Sequence, residues 1–99
     1  MAVMKKQYAL PPVYLSNAVC DVAEIRKAKL AYPSKDEIHM ETEMYGDKRK
    51  YLIRIAQNGD GTRLMIETDG DSENIRQDIT LMFTILDGII LNALRPQPK

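Results

Sequence analysis

Between Glu37 and Met44 the chain alternates strictly: Ile38, Met40, Thr42 and Met44 interleave with Glu37, His39, Glu41 and Glu43. A period of two marks a strand with one face in a core and one in water. Gly46-Asp47 follows as a two-residue loop with glycine at its first central position, as a type II′ turn prefers. Pairing outward from that loop sets Tyr45 opposite Lys48, Glu43 opposite Lys50, Thr42 opposite Tyr51, Met40 opposite Ile53 and Ile38 opposite Ile55. Apolar residues meet apolar ones and unlike charges meet, and a one-residue slip would lose all of that, so this register reads as well specified. Asn58-Gly59-Asp60-Gly61 supplies a second turn, pairing Gln57 with Thr62, Ile55 with Leu64 and Ile53 with Ile66. Both hairpins assign Ile53 and Ile55 to one buried face. The pattern therefore predicts an antiparallel meander of three strands over 36–45, 48–57 and 62–68. Its buried face holds Ile38, Met40, Met44, Tyr51, Ile53, Ile55, Leu64 and Ile66.

Helical spacing takes over after the break at Asp69-Gly70-Asp71-Ser72. Ile75, Ile79, Met82, Phe83, Leu86, Ile90 and Ala93 form one stripe, predicting a long helix over about 73–94 that covers the sheet. Asp71 or Ser72 caps it, Glu73 suits its positive end, and Pro96 follows its other end. Earlier in the chain, Leu15, Val19, Val22, Arg26 and Leu30 fall on a thinner stripe. A helix over about 16–32 is expected there, capped by Ser16 or Asn17 and stopped by Pro33, although Val13, Leu15, Val19 and Ala23 also fit a strand. Pro11-Pro12 bars a helix and favours extended backbone. Residues 1–12, with a short strand at most near Lys6 to Leu10, and 95–99 are read as irregular tails. The expected fold is α+β: the meander with both helices on one face.

Ninety-nine residues suit one domain, and 44% apolar with 28% charged residues is an ordinary globular balance. Fourteen basic residues offset fourteen acidic ones, which removes the simplest electrostatic argument for nucleic acid and makes self-association easier. With one cysteine there is no intrachain disulfide and no cysteine-rich zinc site. The first residues form no continuous apolar leader, and the apolar run from Leu81 to Leu91 is broken by Thr84, Asp87 and Gly88. No membrane span is expected, and a cytoplasmic location is.

Candidate chemistry is sparse. Asn58, Asp60, Gly61 and Glu67 echo a calcium loop, but Ala56 stands at its first ligand position and strands flank it where helices are required. His39, between Glu37 and Glu41 and expected opposite Arg54, is a possible base or metal ligand; a solvated, cross-paired face explains it more simply. Cys20 has no cationic neighbour in sequence and reads as a small buried side chain. No catalytic residue, metal site or cofactor is assigned. Basic residues gather at Arg26, Lys27 and Lys29 and again at Lys48, Arg49 and Lys50. Together with the helix–strand–strand–strand–helix order, they give a nucleic-acid-binding alternative, opposed by the acidic start of the last helix.

The expected function is a small non-enzymatic interaction module, with an enzyme or metal-binding protein using the His39 face as a further alternative. Leu81, Ile85 and Leu91 fall outside the stripe that one sheet requires, and Gly88 lies beside them. They predict a homodimer interface on the last helix, the alternative being a monomer in which the helix at 16–32 covers that flank.

Overall fold

The computed structural model describes residues 1–34, 36–44, 46–70 and 72–94, with the side chains of Met44, Asp47 and Leu94 excepted. The elements are β1 (Ala2–Tyr8), α1 (Pro12–Arg26), β2 (Lys29–Ser34), β3 (Glu37–Met44), β4 (Asp47–Asn58), β5 (Gly61–Thr68) and α2 (Glu73–Leu94). Five strands form one antiparallel sheet in the order β1-β5-β4-β3-β2. The expected meander is its centre, and one further strand extends it on each side, β1 beside β5 and β2 beside β3.

The second hairpin has the predicted register, with Gln57 opposite Thr62, Ile55 opposite Leu64 and Ile53 opposite Ile66. The first is shifted by two residues. Glu43 faces Lys48, Glu41 faces Lys50, Met40 faces Tyr51 and Ile38 faces Ile53. Asp47 opens β4 instead of lying in the loop, and Gly46 takes the turn's positive φ of 83°. A shift of two preserves every face, because side chains alternate with that same period. Ile38, Met40, Tyr51, Ile53, Ile55, Leu64 and Ile66 are accordingly all buried. The expected burial of Met44, the Tyr45–Lys48 pair, the Asp71 cap, the Pro96 stop and the irregular 95–99 tail lie outside the described residues.

The first helix starts and stops earlier than its stripe predicts. Pro12 is its first helical residue: a missing N–H costs nothing in the first turn, where no intrahelical partner exists. Ser16 and Asn17 therefore sit inside the helix instead of capping it. Lys27 ends the helix in the left-handed region, at φ 56° and ψ 39°. The Ala28 amide donates to the Ala23 carbonyl at 2.8 Å, which closes the last turn. Leu30 then enters β2 opposite Met40. The pairing is irregular between Ala31 and Ser34, where Pro33 stands; proline is tolerated there because β2 is an edge strand.

The opening residues are ordered as well. β1 pairs with β5 along its whole length, Met4 facing Ile66 and Lys6 facing Leu64. Both helices pack on the same sheet face. Leu15, Val19 and Val22 of α1 and Ile75, Ile79, Met82, Phe83 and Leu86 of α2 are buried there. Within that core, the hollow between Val22, Met40, Ile66 and Met82 measures about 10 Å³, at the lower limit for a single water.

Candidate functional site

Two carboxylates on α2 decide which of its sides turns outward. Asp78 accepts a hydrogen bond from Arg26 Nη2 at 2.8 Å and another from the Tyr51 hydroxyl. It is buried, although it falls on the apolar stripe one turn after Ile75. Burial, and then the bond to Asp78, push the Tyr51 phenol up to about 12, against a smaller opposing effect of the nearby Arg49 cation. Further along, Asp87 accepts from the Tyr8 hydroxyl at 2.7 Å and pairs with Lys6. Burial first, and Asp87 second, raise the Tyr8 phenol as well. Asp78 thus ties α2 to α1 and β4, and Asp87 ties it to β1.

With its roll fixed at both points, α2 presents one continuous outer strip. Along it the exposed residues are Gln77, Thr80, Leu81, Thr84, Gly88, Leu91 and Asn92, none of them charged, with Asp87 at its border held by Lys6 and Tyr8. This strip runs for about 25 Å of helix. The Thr80 and Thr84 hydroxyls donate to the carbonyls of Arg76 and Thr80, both at 3.0 Å, so their bonding is met within the helix. Leu81 is 49% exposed and Leu91 62%. Ile85 is half-buried and packs partly against the core. At Gly88 an added Cβ would meet open space. Among the described residues, the helical layer carries five of the eight large hydrophobic side chains that are exposed: Val13, Tyr14, Ile25, Leu81 and Leu91.

The other residues singled out by sequence do not converge on one site. Arg26 is held inside the fold by Asp78, and Lys27 is the helix cap. Lys48 and Lys50 face Glu43 and Glu41 across the hairpin, while Arg49 points to the opposite face with Tyr51. The basic turn is therefore divided between two faces, with a glutamate opposite each lysine. His39 faces Leu52, and it is Glu37 that meets Arg54, at 3.3 Å from its Nε. His39, Lys50, Leu52 and Glu67 border an open hollow of about 300 Å³ on the outer sheet face. No group of three or more His, Cys, Asp or Glu residues among those described could hold a metal ion. Asn58 and Gly61 close a hairpin, as turn chemistry requires. Cys20 is only half-buried, with its Sγ 3.0 Å from the Tyr32 hydroxyl, a contact that raises the Tyr32 phenol.

Sequence reasoning missed Asp78 and Asp87 as anchors. The signal was present in the stripe: Asp78 lies three residues after Ile75 and one before Ile79, where a carboxylate must find partners if the helix is to pack. Arg26, likewise out of place on the α1 stripe, is one of them.

No helix among the described residues is long and apolar enough to cross a membrane. No family model matches the chain, and no curated protein matches it in sequence. Among solved structures, the crystal structure of Ara h 8.0201 is similar with a TM-score of 0.52 and 12% identity, covering 92% of this chain and 97% of that one. A likeness at that identity shows the fold alone: this chain has the Bet v 1-like α+β arrangement, an antiparallel sheet with its long last helix packed on one face.

Proposed function

We propose that the protein is a non-enzymatic interaction module that pairs with a second copy of itself through the outer strip of α2. The uncharged strip carries this reading. In a chain with 28% charged residues, a long exposed helix side without one requires a physical reason. Depletion of charge distinguishes the cores of protein interfaces from the rest of a surface. A two-fold pair also sets the same patch against itself, so any charge near the axis would face its own copy; a neutral strip avoids that repulsion. Leu81 and Leu91 supply apolar area, and Gly88 allows close approach of a second helix. The sheet edges suit association less well: β2 is interrupted around Pro33, and β1 carries Lys5 and Lys6.

Sedimentation equilibrium tests the reading. The expected mass is twice 11.3 kDa at high concentration. Leu81→Glu with Leu91→Glu should return the chain to single mass with its circular dichroism unchanged, since both positions are exposed. A mass of 11.3 kDa for the unaltered chain across the concentration range would overturn it.

A further inference from the structure

On the outward side of α1, Tyr14, Asn17 and Asp21 follow one another at helical spacing and line one wall of a groove of about 170 Å³. Ile89, Ile90 and Ala93 of α2 line the other wall, and Leu10 and Ala18 complete it. An aliphatic cavity of about 150 Å³ is known to accept one benzene ring, so this groove has room for a single ring or a short alkyl stem.

Its polar groups are few and one-sided. Among the described residues, Asp21 is the only charged one in the lining. No hydrogen bond or ion pair among the described residues engages its carboxylate, the Tyr14 hydroxyl or the Asn17 amide. The Asp21 carboxylate favours a cation and disfavours an anion. The geometry points to a binding site for a small organic cation, an ammonium group on an aryl or short alkyl stem. The stem lies against Ile89 and Ile90, and the ammonium meets Asp21 with Tyr14 and Asn17 beside it. Ile89, Ile90 and Ala93 are on the flank of α2 turned away from Leu91, so the site is independent of the self-association proposed above.

Amide chemical shifts of the full chain, titrated with benzylamine hydrochloride, test the site against the neutral benzyl alcohol and the anionic benzoate. Benzylamine should give saturable shifts confined to Tyr14–Asp21 and Ile89–Ala93. Benzyl alcohol should bind about fivefold more weakly, as one partly exposed ion pair allows. Benzoate should not saturate. Asp21→Asn should abolish the preference for the amine over the alcohol, and Ala93→Phe, which fills the groove from an exposed position, should abolish binding of both. Equal affinity for amine and alcohol in the unaltered chain overturns the proposal. So does the absence of saturable shifts, or binding that survives both substitutions unchanged.

Discussion

Arg26 and Asp78, 52 residues apart in sequence, meet at 2.8 Å inside the fold, where the end of α1 crosses the second turn of α2. Their side chains are 12% and 3% exposed, so most of the hydration of both charges has been removed. In such a site the attraction does little more than offset the desolvation, and a buried pair is worth more for the geometry it fixes than for net stability. Arg26 Nη1 is buried without a hydrogen-bond partner, which subtracts further. What the pair fixes is the roll of α2, and with it the identity of the exposed strip.

Removing one partner should therefore cost far more than removing both. Asp78→Ala leaves the Arg26 cation buried and the Tyr51 hydroxyl unpaired, and the loss should be about 3–5 kcal/mol in urea unfolding. Arg26→Met combined with Asp78→Leu should recover most of it. A single substitution costing under about 0.5 kcal/mol would mean that the cluster does not hold the helix.

Alkaline pH should weaken the fold through Tyr51. Its phenol ionises near 10 in an unfolded chain and is raised to about 12 here, so the folded state favours the neutral form. The stability this lends is complete below pH 10 and is lost as pH climbs through about 12. Tyr8, raised beside Asp87, acts with the same sign. Phenolate absorbance should show Tyr51 ionising late, and urea midpoints should fall above pH 10; Tyr51→Phe should reduce that fall. A flat alkaline stability profile would contradict the assignment.

The parts of the fold legible in the sequence are those with one wet and one dry face. β3, β4 and β5 alternate cleanly, and α2 carries a full apolar stripe, so their extents and buried residues were readable. The hairpin register was misread because Glu43 finds a lysine at either Lys48 or Lys50, and because a shift of two leaves the faces unchanged. β2 has no alternation to read, since Leu30 alone among its residues is even partly covered. β1 hides its pattern behind Lys6, which lies on the helix side of the sheet and pairs with Asp87. The exposed residues of the proposed interface were legible as surplus apolar positions. That Asp78 and Asp87 are held by partners, and so leave the exposed residues beside them uncharged, became visible only in the fold.

β1 should be displaced by one methyl group. A Cβ built on Gly61 would lie 2.1 Å from the carbonyl oxygen of Tyr8, a backbone atom held in the β1–β5 ladder. Neither strand can yield without breaking that pairing. Gly61→Ala should cost about 1–3 kcal/mol or more and should release amide protection in Ala2–Tyr8 before the central strands. Protection of β1 equal to that of the unaltered chain would show that the close approach is not maintained in solution.

Gly88 should behave in the opposite way, and its two effects separate the monomer from the pair. It lies within α2, its φ is not positive, and a Cβ added there meets nothing within 4 Å of its own chain. Glycine in a helix interior costs about 0.5–1 kcal/mol relative to alanine, so Gly88→Ala should raise the stability of the single chain by that amount. If a second helix approaches over Gly88, a larger side chain must obstruct it even though the monomer tolerates it. Gly88→Leu should then fold normally at low concentration, while sedimentation shows its dimer weaker than that of the unaltered chain. A leucine variant that associates as tightly as the unaltered protein would place the partner away from Gly88, with the Leu81 and Leu91 substitutions left to locate it.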